Sequence, residues 1–590
     1  MRNRILLSAV NAKYIHSNLA VRYLKKYCET QVDGIAIAEF SINDNINSIL
    51  KRLYLADAET YGFSCYIWNI GLVLDICSSL KKARPDAVII LGGPEVSYDP
   101  AHLLSDNSSV DYIVVGEGEQ TLLELLDYIT SGSGWPSHVQ GIAYREGGEI
   151  MTTQPRQLIA SLDKIPFPYD GFEALENKII YYETSRGCPF NCQYCLSSTL
   201  QGVRYLSMDR IQSDINKFAE AGIRQVKLVD RTFNCNIERS IEIMQYIMQL
   251  KSVTNFHLEI AADLINERFL ETIDKAPVGM FQFEIGVQST NPETLSAIQR
   301  KMDFKKVSAN VRRLLAFNNT HLHLDLIAGL PYEDIKSFKK SFNDVYNLHP
   351  HMLQLGFLKL LKGSGIRAKG KEFGIEHHDF PPYEVISTNW LSYSELLILK
   401  DIEQVLEHYG NSGRFRHTLS FLLDFSEILP FEFYRRLAEY WSIKDHFNSS
   451  KGISEQYNIM KHFAQETLCD KLASEQYTLL NEYLKLDWLL YSRSGSMPVS
   501  IERFDHSQVK EQLQEYLRDT LTDSDDFEAY RSMSMRELLK HVGYEVFTRN
   551  IFGTADNESL MVMFYPLKQV HYPEKPYLAV VPLAGIAPVQ

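Results

Sequence analysis

The feature that most constrains this chain is an alternation, met twice, of short apolar runs with amphipathic stretches of helical period. Over the first part, "RILLSAV", "GIAIAEFSI", "TYGFSCYI", "AVIILGG" and "DYIVVGEGE" read as strands. Between and after them, "NLAVRYLKKYC", "INSILKRLYLADA", "GLVLDICSSLKKARP" and "QTLLELLDYIT" read as helices. Strands apolar on both faces, separated by helices, predict a parallel, doubly wound α/β sheet whose ligand sits at the strand carboxyl ends. From Ser131 the composition shifts. "SGSGWPSHVQGIAYREGGEI" reads as a loop and small hairpin, and "LDKIPFPYDGF" as a Pro-punctuated linker.

The second alternation has six strands: "IIYYETS", "QVKLVD", "NFHLEIAA", "GMFQFEIGVQS", "HLHLDLIAGLP" and "HMLQLGFLKLL". Helical segments such as "MDRIQSDINKFAEAG" and "FKKVSANVRRLLAFN" separate them. Such a run predicts a barrel or partial barrel with its active site at the strand carboxyl ends. After about Phe373 long helical stretches dominate, such as "YSELLILKDIEQVLEHYG" and "SEQYTLLNEYLKLDWLLYS", and "LMVMFYPL" and "PYLAVVPL" read as strands. A chain of 590 residues exceeds one hydrophobic core. The net charge of -14 argues against a uniformly basic nucleic-acid surface. No segment approaches about 18 uninterrupted apolar residues, so no membrane span is expected. The opening "MRNRILLSAVNAKYIHSN" reads as a first strand and not as a signal peptide. Cys28, Cys65, Cys77, Cys235 and Cys469 are scattered singly, which suits a reducing compartment and predicts a cytoplasmic location.

The other three cysteines crowd into "TSRGCPFNCQYCLSS" as Cys188, Cys192 and Cys195, a C-x3-C-x2-C spacing. Thiolates are soft ligands suited to zinc, copper or iron–sulfur clusters. Structural zinc takes four ligands, often as two pairs. No second pair exists here, so zinc would need His257 or another residue as the fourth ligand. A four-iron cluster on three cysteines fits better and leaves one iron open to a small molecule, since most clusters take four cysteines.

With Tyr194 at the aromatic position of C-x3-C-x-aromatic-C, the stretch resembles the radical S-adenosylmethionine superfamily. The resemblance runs over roughly residues 173–375 and implies a partial (β/α)6, TIM-like barrel. It also implies a [4Fe-4S] cluster whose open iron binds S-adenosylmethionine. Reductive cleavage then yields methionine and a 5′-deoxyadenosyl radical. "KLVDRTFN" stands where the family binds the methionine amino group, which makes Asp230 and Arg231 candidates, although the common Gly-Gly-Glu is absent. "FEIGVQS" stands at the ribose position, with Glu284, Gln288 and Ser289. "DLIAGLPYED" resembles the strand that approaches adenine, with Ile327 and Gly329; its Glu333 is displaced by one position and is not assigned. The alternative for each is a strand-end polar residue that caps the next helix.

"GFSCYIW" and "LGGPEVS" end successive strands, with Ser64 and Gly92 28 positions apart. This resembles the Ser-x-Leu and Gly-Gly parts of a cobalamin-binding fingerprint, with Tyr66 in place of the leucine, and "VVGEGEQT" resembles the stretch that holds the nucleotide tail. The resemblance implies that Ser64, Gly92, Gly93, Gly116, Glu117 and Gly118 contact cobalamin. Asp-x-His-x-x-Gly is missing; His16 in "NAKYIHSN" has the wrong spacing for a cobalt ligand and reads better as a hydrogen-bonding loop residue. Members of this class commonly lack a histidine on cobalt. No G-x-G-x-x-G or Walker lysine follows the first strand.

Residues 376–590 resemble the uncharacterised C-terminal domain of one cobalamin-binding subfamily, through "NSGRFRHTL". Arg414 and Arg416 there read either as partners of the surplus carboxylates or as contacts for an anionic substrate. The expected division is 1–140 (Rossmann-like, cobalamin-binding), 141–172 (linker), 173–375 (barrel) and 376–590 (mostly helical). The resemblance implies an enzyme that methylates an unactivated carbon, fed by an electron donor such as flavodoxin or ferredoxin. Alternatives are rearrangement, oxidation or cyclisation without methyl transfer, a non-catalytic cobalamin or cluster sensor, and RNA modification, which the acidic balance disfavours.

Overall fold

The leading apolar run forms β1 (Ile5–Asn11), buried along its whole length. Its residues serve two cores in alternation: Leu6 and Val10 pack on one side, and Ile5, Leu7 and Ala9 on the other. That is why the strand is apolar on both faces. The computed structural model describes residues 5–172, 175–199, 202–469, 471–491, 497–523, 530–552, 559–564 and 577–582. The chain forms two units, Met1–Phe338 with Gly356–Tyr393, and Lys339–Leu355 with Ser394–Gln590.

The first unit begins with β1, α1 (Leu19–Cys28), β2 (Ile35–Ser41), α2 (Ile46–Leu55), β3 (Thr60–Ser64), α3 (Ile70–Ala83), β4 (Val88–Gly92), α4 (Pro100–Asp106), β5 (Tyr112–Val114) and α5 (Gly118–Ser131). The hairpin expected after α5 is β6 (Ile142–Glu146) and β7 (Glu149–Thr152). It is not separate. It pairs antiparallel along the free edge of β5 and extends a seven-stranded sheet of order β2-β1-β3-β4-β5-β6-β7. The chain order reverses at β1, so a crevice opens at the carboxyl ends of β1 and β3, the switch point where such sheets bind ligands.

A second sheet starts with β8 (Ile180–Tyr182). A short antiparallel pair, β9 (Ser185–Gly187) and β10 (Val203–Tyr205), follows and carries the cysteine loop. The sheet continues through α6 (Met208–Glu220), β11 (Gln225–Leu228), α7 (Ile237–Gln249), β12 (Asn255–Glu259), α8 (Glu267–Asp274), β13 (Phe281–Gln288), α9 (Pro292–Ala297), α10 (Phe304–Phe317), β14 (His321–Ala328), α11 (Ile335–Tyr346) and β15 (Met352–Phe357). Its order β15-β14-β13-β12-β11-β8 is that of an open six-stranded barrel, with every pairing from β8 to β14 parallel. One face of each strand is apolar, with Phe256, Leu258, Phe281, Phe283, Leu322 and Leu324 buried. The register places Lys227, His257, Glu259, Glu284 and His323 together on the other face. A barrel packed for stability alone fills that face with branched apolar residues; here it is polar.

In the second unit helices dominate, among them Arg416–Ser426, Pro430–Ile443, Ile453–Thr467, Ser474–Tyr491 and Lys510–Asp523. Val542–Phe547, a strand not anticipated from sequence, pairs antiparallel with Ser559–Phe564, which pairs with Tyr577–Pro582. Arg414 donates to the Gln456 amide at 3.1 Å, and Arg416 is exposed. No helix among the described residues is long and apolar enough to cross a membrane.

Candidate active site

The cysteine loop is set by the β9–β10 pair. Gly187 has φ +107°, and a Cβ there would strike the Gly202 carbonyl, so the position requires glycine. The chain entering the loop is tied from behind by Asp230. Its buried carboxylate accepts from Thr184 N at 2.8 Å, Thr184 Oγ1 at 2.6 Å and Ser185 Oγ at 2.5 Å. Burial raises the Asp230 carboxyl above its ordinary range, against the pull of these three donors.

Cys188, Cys192 and Cys195 ring one cavity of about 230 Å³. Of the residues expected near S-adenosylmethionine, Tyr194, Arg231, Glu284 and Gln288 line it. Asp230, Ser289, Ile327 and Gly329 stand outside that lining. Ser289 is buried and donates to Glu333 Oε1 at 2.6 Å while accepting from Asn291 N at 3.0 Å. Gly329 has φ +89°, and a Cβ there would lie 2.7 Å from Val385 Cγ1. Ile327 is half-buried on β14. The lining also holds Thr232, Glu259, Arg300 and Asp325, for which no sequence signal stood out.

Two of the three sulfurs are met by N–H donors. Ser197 N donates to Cys195 Sγ at 3.4 Å, Arg300 Nη1 lies 3.6 Å from Cys192 Sγ, and Cys188 Sγ lies 3.6 Å from Thr232 Oγ1. Burial raises the Cys192 thiol, and Arg300 offsets part of that. Among the described residues no three histidine, cysteine or carboxylate side chains converge as a single-ion site. Thiols spread around a cavity and met by N–H donors suit a multi-atom cluster, so the residues fit the [4Fe-4S] group.

The cavity floor is charged. Burial opposes ionisation of Glu284, but His257 at 3.0 Å and Lys227 at 2.8 Å hold its carboxyl down at about 2. Glu259 has burial and the Glu284 charge against it and is pushed up to about 7. Burial disfavours protonated His323, yet Asp325 at 3.0 Å raises it.

A second cavity, about 630 Å³, occupies the crevice of the first sheet and falls within the usual range of roughly 300–1,000 Å³ for ligand pockets. Ser64, Gly92, Gly93, Gly116, Glu117 and Gly118 all line it. Gly93 has φ +115°, and a Cβ there would lie 2.5 Å from the Cys65 carbonyl. Tyr66 and Trp68 also face it, stacked with ring centroids 4.3 Å apart. A broad wall with bare glycine backbone and a flat aromatic pair fits a large planar ligand such as cobalamin. His16 is at the cavity, but its Nδ1 is 2.6 Å from Tyr181 OH, and burial together with Lys13 lowers its pKa. Glu117 spends its carboxylate on Arg204 at 2.6 Å, Arg186 at 3.1 Å and Ile159 N at 2.8 Å. Arg231 lines both cavities.

Family models match three stretches: the B12 binding domain over residues 5–126, the radical SAM superfamily over 182–345, and a protein family of unknown function, DUF4080, over 371–564. The chain is 26% identical over 426 residues to 2-(S-pantetheinyl)-carbapenam-3-carboxylate methyltransferase of Streptantibioticus cattleyicolor. It is 24% identical over 424 residues to the cobalamin-dependent radical SAM methyltransferase TokK of Streptomyces tokunonensis. Each match takes in 66% of this chain, which spans 62% of the length of each relative. Two solved structures share the fold at 16% identity. The cobalamin-dependent S-adenosylmethionine radical enzyme OxsB has TM-score 0.57 over 89% of this chain and 82% of that one. TsrM from Kitasatospora setae, with cobalamin and [4Fe-4S] cluster bound, has TM-score 0.54 over 67% and 81%. The three cysteines that ring one cavity lie in the stretch that matches the radical SAM superfamily, and the glycines of the crevice lie in the stretch that matches the B12 binding domain, so the chain carries a radical SAM domain, a B12-binding domain and a DUF4080 domain, whose cofactors are a [4Fe-4S] cluster, S-adenosylmethionine and cobalamin.

Proposed function

We propose that this enzyme transfers a methyl group to an unactivated carbon of a substrate held where its two cavities adjoin. The observation that carries this reading is Arg231, which lines both the cysteine cavity and the glycine-walled crevice. When bound, the cluster with S-adenosylmethionine supplies a 5′-deoxyadenosyl radical, and cobalamin supplies a transferable methyl group. Cys188, Cys192 and Cys195 hold the cluster, and Tyr194, Arg231, Glu284 and Gln288 face S-adenosylmethionine from the same cavity. Asp230 and Ser289 support that cavity from behind through Thr184, Ser185 and Glu333, Gly329 leaves room for Val385, and Ile327 stands on β14 outside the lining. Ser64, Gly92, Gly93, Gly116 and Gly118 present backbone to cobalamin, and Glu117 fixes the wall. Segments 1–140, 173–375 and 376–590 are assigned to cobalamin, to the radical chemistry and to a C-terminal domain of unknown role. The electron arrives from a flavodoxin- or ferredoxin-class donor. The methyltransferase activity of two relatives supports this reading.

The test is anaerobic purification with iron and cobalamin supplied, then incubation with S-adenosylmethionine and a strong reductant. Bound iron and cobalamin, with 5′-deoxyadenosine and S-adenosylhomocysteine formed together, are expected. Deoxyadenosine without S-adenosylhomocysteine removes methyl transfer and leaves rearrangement, oxidation or cyclisation. A protein that binds both cofactors and cleaves no S-adenosylmethionine is a sensor.

A further inference from the structure

Arg300 follows α9 and enters the cysteine cavity. Its Nη2 donates to the Gly286 carbonyl, and its Nη1 lies 3.0 Å from Tyr194 OH and 3.6 Å from Cys192 Sγ. Its Nε is buried without a partner among the described residues. The guanidinium forms no ion pair within 4 Å with a carboxylate of the described residues; Asp263 lines the same cavity, and the Cys192 sulfur is within hydrogen-bond reach of Nη1. A positive charge next to a thiolate ligand stabilises whichever cluster state is more negative, and away from bulk water the effect is strong. Reduction adds one electron and one negative charge to the cluster and its three thiolates. Hydrogen bonds to the sulfurs and net charge are what set such potentials.

We propose that Arg300 is a positioning residue that raises the reduction potential of the cluster through Cys192, easing delivery of the electron that cleaves S-adenosylmethionine. This rests on the cluster at the three cysteines and not on methyl transfer, so the measurement is made without substrate or S-adenosylmethionine. The full chain, reconstituted anaerobically with iron and sulfide, is titrated with a dithionite-class one-electron reductant and mediators, and the reduced cluster is read by electron paramagnetic resonance. Arg300→Gln is expected to lower the reduced-to-oxidised ratio at the wild-type midpoint at least tenfold, which is about 59 mV for one electron. Arg300→Lys, which keeps the charge, is expected to stay within about threefold of wild type. An unchanged midpoint in Arg300→Gln overturns the proposal. Should Arg300→Gln fail to hold iron, Arg300→Lys decides: a ratio within about threefold supports the charge effect, and a tenfold fall overturns it.

Discussion

Asp230 accepts three hydrogen bonds from Thr184 and Ser185, whereas its neighbour Arg231 faces two cavities. Removing the carboxylate strands buried donors at about 1–3 kcal/mol each. Asp230→Ala is therefore expected to cost about 3 kcal/mol in urea unfolding of the first unit and to lower iron uptake, while molecules that retain the cluster bind S-adenosylmethionine normally. Weakened S-adenosylmethionine binding with full stability would instead make Asp230 a direct ligand. Burial and the Glu284 charge push the Glu259 carboxyl of the folded chain up to about 7, above the ordinary glutamate range. A carboxyl raised in this way favours the folded state fully below its unfolded value, and the contribution fades as pH rises through about 7. Between about pH 5 and pH 8 the cofactor-free protein should lose up to about 3 kcal/mol from this group. Glu259→Gln should flatten that part of the profile, checked by urea midpoints at both pH values. The position of Asp230 at a strand end was legible in the sequence. Which of two adjacent residues faces the cavity was not, because the turn after β11 sets it.

The β9–β10 pair that carries the cysteines is fastened by arginines to the wall of the neighbouring crevice. Arg186, two residues before Cys188, meets Glu117, Glu119 and Glu183 at 3.1, 2.8 and 2.6 Å, and Arg204 meets Glu117 at 2.6 Å. Burial opposes the Glu117 charge, but the arginines prevail and hold its carboxyl below the ordinary range. Its contribution to stability is present above that range and is lost as pH falls through the folded value. Breaking such a pair leaves a buried charge uncompensated and costs about 3–5 kcal/mol. Glu117→Gln is expected to lower cobalamin and iron occupancy together, measured on the same purified sample. Loss of cobalamin with iron intact would mean that Glu117 serves the nucleotide tail alone. The glycines of "VVGEGEQT" were readable as a strand-end motif. The arginines that occupy its glutamate lie 69 and 87 positions away, beyond any local pattern.

Across the whole molecule, the segment Lys339–Leu355 belongs with the C-terminal helices, although it lies within the run of barrel elements along the chain. Phe342 is fully buried against Phe431 and Tyr434, and Tyr346 packs on Tyr434. Phe342→Ala is expected to destabilise the second unit by about 3–5 kcal/mol, read by limited proteolysis of Pro430–Ile443. Unchanged protection of that helix would show that the segment is peripheral to the unit's core. Periodicity and spacing are local properties, so the sequence alone determined two α/β sheets, a helical tail and three closely spaced thiols. The tertiary structure decided which residues share a cavity. Arg300 reaches Cys192 across 108 positions, and Arg231 comes to line two cavities at once. Parallel strands bring their carboxyl ends side by side whatever the length of chain between them, and no pattern read along the chain measures that proximity.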